Sequence, residues 1–260
     1  MSKTRHSLPR PTHRRATTLA WDYRDGQDIP GHRHPWHQLV YATTGVMTVQ
    51  TPAGSWVVPP NRGVWVPGGT WHAIEISGAV AMRTLYLWKG LRGLPRSCQV
   101  LNISPLLREL ITHAVSLGTL NRRVAAQRRL MDVILDQLAV VPTSAMRIPQ
   151  PTEARALRLA RLLQKEPGER RPLRELARVV GAGQRTLERL FVAETGMSFG
   201  RWRQQLRLAH ALKLLAVGQP VTAVALDVGY DSPSAFVSTF RRTFGTTPGR
   251  YFRASAPAGT

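Results

Sequence analysis

Residues 220–245 read PVTAVALDVGYDSPSAFVSTFRRTFG, and residues 172–196 read PLRELARVVGAGQRTLERLFVAETG. In each stretch a short apolar helix is predicted to meet a glycine turn, at Gly229 and at Gly181, and a second helix with a polar outer face follows. Two short helices joined by a tight glycine turn are typical of a helix-turn-helix, whose second helix enters the major groove of DNA. The sequence therefore predicts two such units in succession.

One long helix is predicted between the two units. Ser198 suits its N-cap, Phe199 to about Ala216 reads as uninterrupted helix, and Gly218 closes it. At about 1.5 Å per residue the helix is roughly 27 Å long, and successive major grooves on one face of DNA lie about 34 Å apart. A rigid helix of this length can hold two recognition helices in adjacent grooves. The alternative is a helical bundle whose glycine turns only connect helices.

The C-terminal part of the chain, from about residue 153 to 253, resembles the DNA-binding domain of the AraC/XylS family of bacterial transcription regulators. The motifs that carry the resemblance span the domain: RTLERLF at 185–191, ETG and SF within 194–199, AVALDVGY at 223–230, DSPSAF at 231–236, FRRTFG at 240–245 and TPGRYFR at 247–253. The resemblance implies recognition helices over about Gln184–Glu194 and Ser232–Thr243.

The same resemblance implies which side chains contact DNA. The candidates are Arg185, Thr186, Arg189, Ser234, Ala235, Ser238, Arg241 and Arg242. Arg185 and Arg189 share one helix face, and arginine suits guanine O6 and N7. The small residues of the second helix predict weaker base readout, of the kind made by contact with a thymine methyl group. Arg241 and Arg242 are candidates for phosphate contacts, as are Arg203, Arg207 and Arg250; a solvated basic face is the alternative for each.

The composition favours a polyanionic partner. The 260 residues hold 36 Lys+Arg against 15 Asp+Glu, a formal net charge of +21. The basic residues are spread over both halves of the chain, so the charge does not say which half binds DNA. Cys98 is the one cysteine, which excludes an intrachain disulfide.

The N-terminal half has a different pattern, with short runs of β-branched and aromatic residues between turns from Leu19 to Trp88. A hairpin turn is predicted at Thr51–Gly54, and the spacing of the runs favours a small barrel or sandwich. Within it, His32, His34, Gln38 and Gly45, followed by PGGTWH at 67–72, resemble the two motifs of the cupin barrel.

The cupin resemblance implies a ligand set of His32, His34, Gln38 and His72. Glutamine stands where metal-binding cupins have glutamate, so the set is three imidazoles and one amide. Three histidines can hold Zn²⁺, Ni²⁺, Mn²⁺ or Fe²⁺, and an amide oxygen is a weaker fourth ligand. A pocket for an organic effector, without metal, is the alternative. His37 is expected to point away from Gln38 because adjacent strand residues face opposite ways.

Two helices are predicted between the barrel and a Pro-rich break that begins at Pro142. The first follows Ser104, a good N-cap, and the second places Ala126, Leu130, Ile134 and Leu138 on one stripe. That stripe either packs on the barrel or pairs two subunits, and the family resemblance implies a homodimer.

The expected fold class is α+β with two domains: an N-terminal all-β cupin-like barrel with a helical extension, and a C-terminal all-α double helix-turn-helix domain. The expected segments are a basic tail at 1–15, a barrel sensor at 16–100, a helical dimerisation region at 101–141, a linker at 142–152 and a DNA-binding domain at 153–254.

The function that this organisation predicts is a ligand-responsive, sequence-specific transcription regulator. Its expected partners are promoter DNA, a second copy of the chain, an unidentified small-molecule effector and, for an activator, RNA polymerase. No apolar run is long enough to span a bilayer, which predicts a cytoplasmic protein. One alternative is a cupin metalloenzyme, of dioxygenase or isomerase type, fused to a DNA-binding module; Gln38 weakens its metal site, and Asp22 and Glu75 are the nearby acids considered as candidate bases. The other is a nonspecific architectural DNA binder.

Overall fold

The computed structural model describes residues 12, 15–60, 62–88, 90–91, 93–140, 143–144 and 147–253. The expected basic tail at 1–15 therefore lies almost wholly outside the described residues. The strands are β1 (Arg15–Tyr23), β2 (Ile29–His32), β3 (His37–Tyr41), β4 (Val46–Thr51), β5 (Gly54–Val58), β6 (Arg62–Val66), β7 (His72–Ser77), β8 (Val80–Leu87), β9 (Gln99–Asn102), β10 (Leu120–Asn121), β11 (Thr143–Ser144) and β12 (Arg147–Ile148). The helices are α1 (Pro105–Ser116), α2 (Ala125–Val140), α3 (Ala154–Lys165), α4 (Leu173–Val179), α5 (Gln184–Thr195), α6 (Phe199–Ala216), α7 (Val221–Asp227), α8 (Pro233–Phe244) and α9 (Pro248–Arg253).

The described strands form two antiparallel sheets, which confirms the expected β-rich N-terminal domain. The seven-stranded sheet has the order β10-β1-β8-β3-β6-β9-β11, and the five-stranded sheet has the order β12-β5-β4-β7-β2. Burial alternates along β7, where His72, Ile74 and Ile76 are buried and the residues between them are half-exposed. This period of two is what a strand with one face on the core requires.

The helical extension packs on the seven-stranded sheet. Ser104 caps α1 by accepting a hydrogen bond from the Leu107 N–H. In α2 the predicted stripe divides: Ile134 and Leu138 are buried in the core that also holds Leu107, whereas Ala126 is exposed. Leu130 is partly buried against the same core, so the stripe packs on the barrel from Leu130 onward.

The C-terminal helices form the predicted double helix-turn-helix. Ser198 caps α6 by accepting from the Arg201 N–H, and α6 ends at Ala216 as the sequence predicts. The turns between α4 and α5 and between α7 and α8 contain Gly181 and Gly229, which have φ values of 69° and 82°. Glycine adopts such positive φ values without the penalty that a side chain brings.

The segment expected as a linker carries two strands. β11 pairs with β9, and β12 pairs with β5 through Arg147 opposite Trp56 and Ile148 opposite Ser55. Immediately afterwards, the buried Nε1–H of Trp202 in α6 donates to the Pro149 carbonyl at 2.8 Å. The connection between the two domains is therefore bonded to both of them.

The helical domain rests on the outer face of the five-stranded sheet. Lys213 of α6 pairs with Glu75 of β7 at 2.8 Å, and the Tyr251 hydroxyl donates to the Pro60 carbonyl at 3.3 Å. Gly78 lies so close to the end of α6 that a Cβ there would be 2.6 Å from the Ala216 carbonyl oxygen. These contacts fix how the barrel and the helices meet.

Candidate metal centre and nucleic-acid interface

Three histidines meet at one end of the barrel. His32 ends β2 and lies opposite His72, the first residue of β7, and His34 reaches in from the loop that follows β2. One ligand nitrogen from each ring lies within 4.8 Å of the others. The ring centroids of His32 and His72 are 4.3 Å apart, and those of His34 and His72 are 5.1 Å apart.

The backbone sets the tautomer of each ring. The Nδ1 atom of His32 lies 2.9 Å from the Pro30 carbonyl, that of His34 lies 2.8 Å from the Trp36 carbonyl, and that of His72 lies 3.0 Å from the Thr70 carbonyl. A carbonyl oxygen only accepts, so each Nδ1 carries the proton and donates it. In a neutral imidazole this leaves the Nε2 lone pair available to a ligand, the arrangement usual for histidines that bind metals.

Burial keeps two of the rings neutral. His72 is fully buried and His34 is 7% exposed. Burial lowers the pKa of His72 to about 4, helped by repulsion from His32 and His34. Burial likewise lowers the pKa of His34. At neutral pH both side chains therefore present electron pairs rather than protons at Nε2.

Gln38 completes the cluster from β3. Its Oε1 atom lies 3.1 Å from Nε2 of His34 and 3.0 Å from Nε2 of His72. The amide is oriented from behind, because its Nε2 donates to the Thr84 hydroxyl at 3.0 Å and to the Tyr86 hydroxyl at 3.1 Å. The Thr84 hydroxyl in turn donates to the Leu39 carbonyl at 2.8 Å, so it must accept from Gln38. Gln38 therefore presents its oxygen to the histidines.

The four side chains together place electron-pair donors around one point. Two imidazole nitrogens face an amide oxygen at close to 3 Å, with His32 beside them. Such a set suits a cation, and three imidazoles with one oxygen suit a divalent transition metal. The residues that the cupin resemblance named are thus brought together, and their chemistry fits a metal.

Neighbouring polar residues of the barrel face other partners. The Nδ1 atom of His37 accepts from the Gly68 N–H at 3.0 Å, and the ring stacks on Trp65, so His37 points away from Gln38 as strand alternation predicts. Asp22 pairs with Arg83 at 2.8 Å, and Glu75 pairs with Lys213 on the outer face of the sheet. Neither carboxylate belongs to the histidine cluster.

The first predicted recognition helix is α5. Leu187 and Phe191 are fully buried and hold the helix against the domain core, where Phe191 meets Trp202 edge-on. The opposite face carries Arg185 and Arg189, which are exposed, and Thr186, which is half-buried. The helix thus presents two arginines to solvent on one side.

The second predicted recognition helix is α8. The Ser232 hydroxyl caps it by accepting from the Ala235 N–H, and Phe236 and Phe240 are fully buried beneath it. The other candidates on this helix are all exposed: Ser234, Ala235, Ser238, Arg241 and Arg242. The two helices therefore present the faces that contact with DNA would require, and the assignment of individual contacts remains a prediction.

Two arginines offered as phosphate contacts have partners inside the domain. The Arg203 guanidinium donates to the carbonyls of Arg171, at 2.8 Å, and Glu169, and Arg207 donates to Glu169 at 2.7 Å. Burial, with repulsion from Arg207, lowers the pKa of Arg203 to about 10, so both remain cationic at neutral pH. They fasten α6 to the loop before α4, and Arg170 of that loop donates to the Tyr230 carbonyl at 3.2 Å.

Both halves of the chain match families of known proteins. Residues 18–133 match the family model of the AraC-like ligand binding domain, and residues 176–254 match that of a helix-turn-helix domain. The chain is 36% identical over 222 residues to the HTH-type transcriptional regulator NimR of Escherichia coli, covering 85% of this chain and 81% of that regulator. The chain belongs to the AraC family of transcription regulators.

Two further similarities are partial or distant. The HTH-type transcriptional regulator RipA of Corynebacterium glutamicum is 38% identical over 111 residues, which is 43% of this chain and 32% of RipA. The structure of ToxT from Vibrio cholerae with a bound unsaturated fatty acid covers 94% of this chain and 97% of its own, at 11% identity and a TM-score of 0.39.

As an AraC-family regulator, the chain combines a ligand-binding N-terminal domain with a DNA-binding helix-turn-helix domain. Among the helices that the structure describes, none has the length and apolarity that crossing a bilayer requires.

Sequence reasoning had no means of finding Thr84 and Tyr86, which orient Gln38, because they lie on β8, far along the chain. Only the pairing of β3 with β8, which places Gln38 opposite Tyr86, identifies these two residues as neighbours of Gln38.

Proposed function

We propose that the chain binds promoter DNA as a homodimer and that a divalent transition metal held by His32, His34, Gln38 and His72 controls this binding. The observation that carries the proposal is the convergence of two bare imidazole nitrogens and the Gln38 oxygen at about 3 Å, with His32 beside them. A bound metal would supply positive charge to this set of neutral ligands. Zn²⁺, Ni²⁺, Mn²⁺ and Fe²⁺ are the candidates.

Each proposed segment of the chain has its own role in this function. Residues 16–100 form the sensor, 101–141 the dimerisation region, 142–152 the linker and 153–254 the DNA reader. The described strands of the two sheets run beyond the first range: β1 begins at Arg15, β9 ends at Asn102, β10 lies in the second segment, and β11 and β12 lie in the third. The reader contacts bases through α5 and α8, with Arg185 and Arg189 as the principal base-reading side chains.

Strand β7 offers a direct route from the metal ligands to the reader. His72 faces the barrel interior, and Glu75, three residues later, faces outward and pairs with Lys213 of α6. A shift that draws His72 towards the other ligands moves the same strand that holds Glu75. Because α6 connects the two helix-turn-helix units, such a shift changes how the reader is held and favours one reader arrangement over another.

We infer that the dimer forms through the exposed side of α2. Ile134 and Leu138 are already buried against the barrel, whereas Val133 is 41% exposed. Ala126 and Leu130 precede Val133 at helical spacing, and they are exposed and half-buried. This side gives a second copy an apolar stripe, and two subunits would present four recognition helices to a repeated promoter sequence.

We also propose that the site binds its ligand without turning over a substrate. The two acids that the sequence offered as candidate bases, Asp22 and Glu75, are engaged with Arg83 and Lys213 away from the histidines. The expected place of action is the bacterial cytoplasm, where the promoter lies. If the chain activates transcription, its further partner is RNA polymerase.

The test measures metal content and DNA affinity on the same protein. Full-length protein is stripped with EDTA and titrated with each metal, and its affinity for the promoter of its own gene and for a scrambled duplex is followed by fluorescence anisotropy at about 150 mM salt. We expect one metal ion per chain and a metal-dependent change in affinity for the promoter alone. His72→Gln should abolish both effects, whereas His113→Gln, at an exposed histidine of α1, should preserve them.

Three results would contradict the proposal. Absence of bound metal would remove the metal centre, and bound metal without any change in promoter affinity would remove its regulatory role. Equal affinity for both duplexes with and without each metal would instead favour a nonspecific DNA binder.

A further inference from the structure

Glu188 is an acid on the exposed side of the first recognition helix. It is exposed in α5, as are Arg185, one turn before it, and Arg189, directly after it. The other acid of α5, Glu194, accepts a hydrogen bond from the Thr152 N–H at 2.6 Å, and the sequence of α8 contains no acid. Of the acids on these two helices, both of which lie in the described part of the chain, Glu188 is therefore the one available to DNA.

The Glu188 carboxylate is held by one neighbour and forms no ion pair. Nε2 of Gln184, one turn earlier, donates to Oε1 of Glu188 at 2.9 Å. The ion pairs among the described residues all involve other acids, and the nearby Arg185 is not bonded to this carboxylate. A single bond between neighbouring turns adds little to the stability of a helix, so stability alone is a weak reason for an acid here.

An acid at this position opposes DNA binding unless it bonds to a base, because DNA phosphates repel a carboxylate. In the major groove, cytosine presents its N4 amino group as a donor, whereas guanine presents O6 and N7 and thymine presents O4 as acceptors. A carboxylate only accepts, so it bonds cytosine and is repelled by guanine and thymine. Adenine has a donor at N6, but the N7 acceptor beside it opposes the second carboxylate oxygen.

We propose that Glu188 accepts a hydrogen bond from N4 of a cytosine in the major groove and thereby rejects promoters with thymine or guanine at that base pair. The inference rests on base reading by α5, as proposed above. Arg185 lies one helical turn away, and arginine suits guanine, so the two side chains together favour neighbouring G·C base pairs. The bond from Gln184 holds the carboxylate away from Arg185, which leaves that guanidinium available to its own base.

The experiment selects DNA from a pool of random duplexes with the full chain. The selection is run in EDTA and with each candidate metal, and the bound DNA is sequenced. We expect the wild-type protein to select cytosine at one base pair, with at least about tenfold discrimination against thymine and guanine, the size expected of a hydrogen bond to a charged group. N4-methylcytosine at that position, which pairs with guanine but turns a methyl group into the major groove, should bind about tenfold more weakly than cytosine.

Glu188→Gln and a matched control separate base recognition from folding. A glutamine amide both donates and accepts, so Glu188→Gln should bind cytosine, thymine and guanine at this base pair within about threefold of one another. Its affinity for a scrambled duplex should rise by about twofold or more, because a negative charge is removed from the phosphates. Its Tm should stay unchanged, since the amide oxygen can still accept from Gln184. Glu166→Gln removes an exposed acid of the reader outside both recognition helices, and it should keep the wild-type preference.

The outcomes distinguish this inference from the proposed function. If the wild-type protein selects no sequence in any condition, base reading by α5 fails and the cytosine contact fails with it. A retained cytosine preference in Glu188→Gln, or equal binding of cytosine and N4-methylcytosine, would overturn the contact in a regulator that still reads DNA. Loss of discrimination spread over all positions would indicate a disturbed helix and would overturn it equally. Cytosine selection that is equal in EDTA and in metal would support the contact and contradict metal control alone.

Discussion

Nζ of Lys213 lies 2.8 Å from Oε2 of Glu75, and this pair joins the helix between the two DNA-reading units to the strand that begins with His72. The side chains are 30% and 37% exposed, so water screens the attraction and the pair contributes only about 0.2–1 kcal/mol to stability. Its position makes it more informative about signalling than about folding.

Breaking this pair should uncouple the sensor from the reader. We expect Glu75→Gln to bind metal as the parent protein does, because Glu75 faces away from the histidines, and to lose most of the metal-dependent change in promoter affinity. The measurement is DNA-binding anisotropy with saturating metal and with EDTA. Arg83→Gln, which breaks the pair with Asp22 away from the reader, is the matched control. A full metal response in Glu75→Gln would show that the signal travels elsewhere.

Replacing Gln38 by Glu should tighten metal binding. The substitution puts an anionic oxygen where the amide oxygen now faces His34 and His72, and the Tyr86 hydroxyl can turn to donate to it. We expect metal affinity to rise at least about tenfold, because hard anionic ligands attract divalent cations more strongly than amides do. Competition with a chromophoric chelator measures this affinity. Gln27→Glu, at an exposed glutamine, controls for the added charge; an unchanged affinity in Gln38→Glu would place the metal outside this cluster.

The arginines of the two recognition helices should differ in the kind of loss that they cause. Arg185→Ala or Arg189→Ala should cost about 1–3 kcal/mol at one base position and relax specificity there, the signature of a base contact. Arg241→Ala should weaken binding to every sequence and reduce the salt slope by about 1, the signature of a phosphate contact. Affinities for a set of single-base variants of the promoter, at several salt concentrations, distinguish the two. Uniform losses for Arg185→Ala would reassign it to the backbone.

The two turn glycines should respond differently to alanine. Both have positive φ, which costs a side chain about 1–2 kcal/mol. A Cβ at Gly229 would also lie 2.7 Å from both the Arg207 guanidinium and the Gly168 carbonyl, whereas at Gly181 it meets nothing within 4 Å. We therefore expect Gly229→Ala to lower the free energy of unfolding by about 1–3 kcal/mol more than Gly181→Ala does. Urea denaturation gives the comparison, and similar losses would show that the loop before α4 yields readily.

Val133→Glu should dissociate the proposed dimer without unfolding the chain. Val133 is 41% exposed, so a carboxylate there is solvated in the monomer and is buried without a partner in the dimer. Light scattering after size exclusion should show a monomer, with weaker binding to a repeated promoter site. Val217→Glu, at an equally exposed position outside α2, should remain dimeric. Retention of the dimer by Val133→Glu would exclude this face of α2.

The helices of the reader could be predicted closely because the residues that begin and end each helix lie next to it in the sequence. The Ser198 cap and the closing glycine at 218 delimit α6, and Gly181 and Gly229 mark turns that only glycine adopts easily. The histidine cluster could be named in advance because its spacing resembles a known barrel motif. Its chemistry could not, since the orientation of Gln38 depends on Thr84 and Tyr86.

Features that depend on contacts between distant segments escaped sequence reasoning. The sequence around Arg203 and Arg207 does not reveal that both guanidinium groups donate hydrogen bonds to the carbonyl of Glu169. The strand at Arg147–Ile148 is two residues long in a Pro-rich stretch, and only its pairing with β5 makes it a strand.

The pairing of Arg147 and Ile148 with β5 also determines where this protein can be recombined with others. A chimaera joined at residue 142 would carry β12 away with the reader and leave the edge of β5 exposed to pairing with other chains. A junction after Ile148 keeps that edge covered. The hydrogen bond from Trp202 then requires only a backbone carbonyl at position 149, which any residue at that position provides. Sensors should therefore be exchangeable as residues 1–148, six residues before α3 begins.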